Sequence, residues 1–488
     1  MISKSFIKSS FIYTIIGSLP LASSILLLPF YGNTNLLSTS DFGLLAIYIT
    51  ISELARVLFT FSTDSFLGFN FIHYSSDQNS IKKFIGSSTI FMLVYGIGIT
   101  IAFSFIGDYI FKVAFPDKNI QYFPLGLLSA LTGLFNGIFK AYSNLMIYRE
   151  KPNPFFWSNI LHFILVVGIS VSVLYIFPQS LVGPIWGRFL SSSVTFLWAI
   201  IYFIKESQLK YDKNIISKLI SYSAPLYIYT ILQWVVINID KYFVLGLLSN
   251  KDLAVFDFAT KIVLAIDFLQ SGLSSAIYPK IFKLWKTNND EPQGTIEINK
   301  YFHVFTIINL IGIPLYFIAI PLIVPYVVNN NDLYASFYFL PILFAGMIVR
   351  IWYNYLIAPV VYFKKTRILP IIFSLVAIFQ VFTTYKLISI YNIEGAIWAN
   401  FFTKIFQVIL LFFFVRSFYK LKVNIRKLVI YPTIYILFLI SMELFYKDIN
   451  LFIINGAHIT VLTIIGYFLF RKEINLKSLL KMFGIKGY

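Results

Sequence analysis

The sequence predicts an all-α polytopic membrane protein of about fourteen transmembrane helices: two parallel six-helix repeats forming two lobes, plus two C-terminal helices. Three observations carry this expectation. The chain is 58% hydrophobic and only 12% charged, whereas soluble domains carry about 25% charged residues. Apolar stretches of about 20 residues, the length that crosses a bilayer, recur along it. Its Lys and Arg are concentrated in alternate loops, as the positive-inside rule requires of a multi-pass chain.

The expected spans lie near 9–30, 42–64, 84–106, 121–142, 155–177, 181–204, 218–239, 253–279, 301–327, 336–358, 367–388, 394–415, 427–445 and 451–470. The first resembles a signal peptide at its start. Its apolar stretch is too long and lacks a small-x-small cleavage site, so it reads as a retained span. The eighth and ninth are long enough to tilt or to run past the membrane.

With the N-terminus in the cytoplasm, most of the 39 Lys and Arg fall in cytoplasmic segments. The outer loops then hold only Lys112, Lys118, Lys241, Lys251, Lys386 and Lys447. Both termini are therefore expected inside. Topology accounts for the net charge of +18 without a nucleic-acid partner. The chain has no cysteine, which excludes disulfides, thiolate metal sites and cysteine catalysis. His73, His162, His303 and His458 are scattered without metal-ligand spacing. No metal or cofactor is expected, there is no P-loop, and no loop is long enough for a soluble domain. Any chemistry belongs to the membrane or its faces.

Two short motifs occur twice. "GPIWGRFL" (Gly183 to Leu190) returns as "GAIWANFF" (Gly395 to Phe402), with Arg188 opposite Asn400. "LLSTSDFGLLAI" (Leu36 to Ile47) returns as "LLSNKDLAVFDF" (Leu247 to Phe258). The two offsets nearly agree, which argues for two copies of a six-span unit. The expected division is 1–210 for the first lobe and 211–420 for the second, with 421–488 appended. An even number of spans per copy gives both copies one orientation, the parallel-repeat plan of secondary transporters whose lobes rock about a midplane site.

At these blocks the chain resembles the oligosaccharide flippases, the polysaccharide transporter branch of the MOP (MATE-like) exporter superfamily. The resemblance covers roughly 1–420. It is carried by "KSSFIYTIIGSLPLASSILLLPFYGNTNLLSTSDFGLLAI", by "SYSAPLYIYTILQWVVINIDKYFVLGLLSNKDLAVFDFATKI" and by "SAIYPKIFKLW". Asp240-Lys241 stands where the family typically has Asp-Arg. Ala254-Val255-Phe256-Asp257 stands where it has Gly-x-Tyr and a small residue. The resemblance implies a flippase that moves undecaprenyl-diphosphate-linked oligosaccharides, such as O-antigen units, across the bacterial inner membrane. It also implies polymerase or glycosyltransferase partners.

Charge at bilayer depth is costly and so marks candidate functional residues. Glu53 and Arg56 are i,i+3, and Asp257 and Lys261 are i,i+4, spacings at which each pair can neutralise itself. Arg188, Arg350 and Lys404 have no acidic neighbour at helical spacing. With Arg56 and Lys261 they are the candidate substrate-binding cations, suited to an anionic diphosphate. Asp267, Asp257 and Glu53 are candidates for coupling to H+ or Na+. For Asp267 two readings stand: a protonatable lone carboxylate, or the partner of a cation on another span. Trp352 and Tyr353, beside Arg350, are the aromatics best placed for sugars. Pro20 and Pro225 occupy similar places in the two copies and are hinge candidates.

Two alternatives have other consequences. A drug or cation antiporter on the same fold would favour an acidic cavity, whereas here the membrane-depth charges have a basic surplus. A membrane polymerase or glycosyltransferase would carry a large outer loop with Arg, His or paired carboxylates, whereas these loops are short.

Overall fold

The structure, a computed structural model, describes residues 16, 19–74, 77–116, 118, 120–287, 295–420, 423–445 and 449–471. Its described residues form helices joined by short connections. They are α1 (Leu19–Leu26), α2 (Leu28–Tyr31), α3 (Thr39–Thr60), α4 (Thr63–Tyr74) and α5 (Gln78–Ala114). Next come α6 (Leu127–Tyr148), α7 (Pro152–Ile176), α8 (Val182–Ser207), α9 (Lys213–Leu247) and α10 (Asn250–Thr287). The series ends with α11 (Thr295–Val327), α12 (Leu340–Tyr362), α13 (Leu369–Phe418), α14 (Tyr431–Phe445) and α15 (Ile449–Phe470).

Ten helices among the described residues are long and apolar enough to cross a membrane, against the fourteen expected. The differences have physical reasons. The eighth expected span lies in α10, whose Asp257, Lys261 and Asp267 keep it out of the ten. The eleventh and twelfth form one 50-residue helix, α13, broken at Asn392 (φ 52, ψ −132). Fifty helical residues would be about 75 Å long, more than twice the hydrocarbon core, and the reversal at Asn392 makes them two passes. Much of the first expected span and the tail beyond 471 lie outside the described residues. At the last expected span only the shorter apolar stretch Thr460–Phe470 counts.

The chain divides into two compact units. One contains residues 1–257 and 328–333; the other contains 258–327 and 334–488. The boundary falls inside α10, between Asp257 and Phe258.

The repeated motifs have structural causes. In the first unit, Ser38 caps α3: its hydroxyl accepts from the Asp41 N–H at 3.1 Å and donates to the Asp41 carboxylate at 2.7 Å. Ser249 and Asp252 do the same at the start of α10, at 3.1 and 2.6 Å. Both "LLS" motifs thus carry a serine N-cap, and at the second the Asp252 carboxylate also accepts from the Ser249 N–H at 3.0 Å, completing a capping box that satisfies amides left open at a helix start. The two starts also touch. A Cβ on Gly43 would come within 2.1 Å of the Asn250 carbonyl oxygen, so only glycine fits.

The "IW" motifs each open the second helix of a helical hairpin. A Cβ on Gly187 of α8 would meet the Ser170 Cα of α7 at 2.5 Å, and one on Gly183 would meet Leu174 backbone at 2.9 Å. In the second unit, a Cβ on Gly395 would meet the Leu387 carbonyl oxygen at 2.1 Å, across the break in α13. Small buried residues continue every fourth position: Gly183, Gly187 and Ser191 in one motif, Gly395, Ala399 and Thr403 in the other. Lipid supplies no hydrophobic drive between helices, so close backbone packing on small residues holds them.

Gly395→Val should therefore remove most of the folded protein, because overpacking costs about 1–3 kcal/mol even where side chains can yield and here a backbone carbonyl blocks. Gly98→Val should leave the yield unchanged, since nothing lies within 4 Å of its added Cβ. Monodisperse yield after detergent extraction measures both. Equal yields would contradict the hairpin account.

Candidate functional site

In the first unit the charged residues sit where α3, α6, α8, α9 and the start of α10 meet. Helix α3 lies close on α6 because Gly133 and Gly137 face it: their Cβ atoms would meet the Ser52 carbonyl oxygen and Thr60 Cγ2, both at 2.3 Å. This sets the rotation of α3 and so the positions of Glu53 and Arg56. Helix α9 is tied to α3 at Thr50, whose hydroxyl bonds Tyr242 at 3.1 Å. The Thr50 carbonyl accepts from the Trp234 indole at 3.1 Å.

Glu53 and Asp257 find partners across helices. No ion pair joins Glu53 to Arg56 among the described residues; Glu53 instead accepts from Asn238 of α9 at 3.4 Å. Asp257, wholly buried, pairs with Lys241 of α9 at 2.8 Å. Glu53 and Asp240 lie close enough to act on the same ammonium. Lys241 was expected in an outer loop, but α9 continues to Leu247 and carries it inside the helix. The sequence signal for its role was present: "IDKYFVLG" and "AVFDFATK", two segments that carry the family resemblance, are the two that the Lys241–Asp257 pair joins.

Arg188 stands apart. It lies on α8, half-buried, and its Nε is buried without a hydrogen-bond partner. Among the described residues no carboxylate lies within ion-pair distance of it. Its side chain borders a cavity of about 10 Å³, room for about one water, lined also by Tyr48, Ser52, Ser129 and Thr132. Hydroxyls and the apolar Leu45, Ile49 and Ile185 thus border a guanidinium whose Nε donor is unused.

In the second unit, α10 is bonded along its length to α12. Asp267 pairs with Arg350, and Gln270 donates to the Met347 carbonyl at 2.8 Å. Ser274 reaches the Asn354 amide oxygen at 3.3 Å, and Tyr278 the Asn354 carbonyl at 3.0 Å. Of the two readings of Asp267, the cross-span pair is the one formed, and it also gives Arg350 its counter-charge. Lys261 is buried in this unit. Lys404 of α13 lies against Gly346, one turn before Arg350 on α12, where an added Cβ would come within 3.0 Å of its Nζ. The Trp352 indole is committed to the Leu428 carbonyl at 2.8 Å, so it offers no free donor to a sugar. Pro225 lies within α9, which runs unbroken past it; Pro20 lies in α1. Among the described residues no group of three His, Asp or Glu could hold a metal ion.

A family model described as "Polysaccharide biosynthesis protein" matches residues 6–285. No curated protein sequence matches the chain. Among solved structures, one titled "Lipid II flippase MurJ, inward closed conformation" is similar at a TM-score of 0.70 and 15% identity. The match covers 96% of this chain and 100% of that one. An inward-facing multidrug resistance MATE family transporter of the MOP superfamily is similar at 0.58 and 13%, over 82% of this chain and 94% of that one. An outward-facing structure of such a transporter gives 0.56 and 15%, over 85% and 95%. The fold is MurJ- and MATE-like, and the protein is a multi-pass membrane protein.

Removing one partner of a buried ion pair leaves an uncompensated charge and costs about 3–5 kcal/mol, whereas replacing both with apolar groups is often neutral. Lys241→Met or Asp257→Leu alone should each lower thermal stability in detergent. The double variant should recover most of the loss. Additive losses would show that the pair is not the compensating unit.

Proposed function

The chain belongs to the polysaccharide biosynthesis protein family, and from that premise we propose that it flips an undecaprenyl-diphosphate-linked oligosaccharide across the bacterial inner membrane. The observation that carries this reading is Arg188. A guanidinium at membrane depth, without a carboxylate partner and beside hydroxyls, suits a phosphate oxygen. A low-dielectric surrounding strengthens that attraction. Arg56 and Lys404 are further candidates for the anionic headgroup. Arg350 is a weaker one, since Asp267 already balances it, and Lys261 remains a candidate by burial alone.

In this reading residues 1–210 and 211–420 act as two lobes that alternate between inward and outward openings, with both termini cytoplasmic. The diphosphate binds from the cytoplasmic leaflet and is released at the periplasmic one. Coupling to H+ or Na+ passes through Glu53 and the neighbouring Asp257–Lys241 pair rather than through Asp267, whose charge is balanced. Polymerase or glycosyltransferase partners would supply and consume the glycan unit, of the O-antigen kind. The basic surplus at membrane depth speaks against an exporter of cationic drugs.

Loss of one charge-assisted contact costs about 1.5–3 kcal/mol, roughly 10- to 150-fold in affinity. Arg188→Ala should therefore lose surface glycan while reaching the membrane in normal amount. Arg188→Lys should rescue only partly, since it keeps the charge and loses the planar fork. Normal export by an Arg188→Ala/Arg56→Ala/Lys404→Ala variant at wild-type protein level would end this reading.

A further inference from the structure

The second unit contains a cavity of about 920 Å³ between α12, the second half of α13 and the turn before α14. None of the charged residues described above lines it. Its inner wall is made by Tyr355, Leu356, Val415 and Leu428, all buried residues that nevertheless line the space. It opens past Phe412 and Phe413, which are exposed on the surface. Most polar atoms of the walls are already engaged. The Tyr355 hydroxyl bonds the Phe302 carbonyl at 3.2 Å, and the Tyr419 hydroxyl accepts from the Trp285 indole at 2.6 Å. The Trp352 indole is held by Leu428 at 2.8 Å. Largely apolar walls, with few groups left to hydrogen-bond, suit a hydrocarbon chain and reject a sugar, most of whose hydroxyls would lose water without replacement.

One end of the cavity is different. Arg416 and Lys420 line it, both exposed, and among the described residues neither has a carboxylate within ion-pair distance. The C-terminal carbonyls of α13 offset at most about half a charge. Two uncompensated cations at the mouth of an apolar groove complement an amphipath with an acidic head.

We infer that this groove binds an acidic membrane phospholipid, its chain along Leu356 and Val415 and its phosphate between Arg416 and Lys420. The site is independent of the transported substrate. Near a membrane each such cation contributes enough for about fivefold in affinity, so the two together give about thirtyfold.

The test is native mass spectrometry of the full chain, titrated with phosphatidylglycerol and with phosphatidylcholine of matched chains. The wild type should bind the first phosphatidylglycerol about thirtyfold more tightly than phosphatidylcholine. Arg416→Gln/Lys420→Gln should lose nearly all of that preference. If that double variant does not purify, each single substitution should remove about fivefold. Val408→Trp, which fills the groove, should weaken both lipids. Lys205→Gln/Lys213→Gln, in the other unit, should change nothing. The inference is overturned if the Arg416 and Lys420 variants keep the wild-type preference, or if the Lys205 and Lys213 pair loses as much. It is equally overturned if a polyprenyl phosphate displaces phosphatidylglycerol at lower concentration, since the groove would then belong to the substrate's lipid.

Discussion

A charge in the bilayer must find a counter-charge or water, and the placement of the helices follows from that requirement. Lys241 reaches Asp257 only because α9 and the start of α10 lie side by side. Asp267 reaches Arg350 only because α10 is bonded to α12 at successive turns. Elsewhere glycine lets the helices close up. Where α3 meets α6, and where the hairpins close at Gly187 and Gly395, no side chain stands between the backbones. Small residues bring the helices together, and the charges fix which helices they are. Arg188 is the exception that gives the account its functional content: the same close packing that satisfies other charges leaves its Nε buried and unbonded.

The all-helical class and most helix positions were legible in the sequence, because an apolar stretch of about 20 residues has few other meanings. The two repeated motifs were legible as repeats, and their physical roles explain why they repeat. A serine N-cap and a glycine at the tight start of a hairpin are local devices, written in consecutive residues. The break at Asn392 was readable as a gap between two apolar stretches. Span counting was weakest at α10, where the charges that make the helix interesting also dilute its hydropathy.

The charge partners were not legible. Spacing at i,i+3 or i,i+4 states what can meet on one helix, and it pointed to Glu53 with Arg56 and Asp257 with Lys261. The partners that Glu53 and Asp257 find on α9 come through the rotation of α3 on α6 and of α9 on α3, which no single-helix rule contains. The apolar stretch ends at residue 239, which places Lys241 in a loop by sequence, while the helix runs on to Leu247. Trp352 looked well placed for sugars by its neighbour Arg350. The carbonyl that occupies it, Leu428, lies 76 residues away in sequence.

The central claim is that a half-buried guanidinium without a carboxylate partner selects a lipid diphosphate. It is tested most directly by equilibrium binding to the purified wild-type protein of three short-chain polyprenyl compounds sharing one tail: the diphosphate, the monophosphate and the neutral alcohol. The account predicts that the diphosphate binds at least about tenfold more tightly than the alcohol, one charge-assisted contact being worth that much, with the monophosphate between them. Equal affinities for all three would show that the tail alone is recognised, and would contradict it.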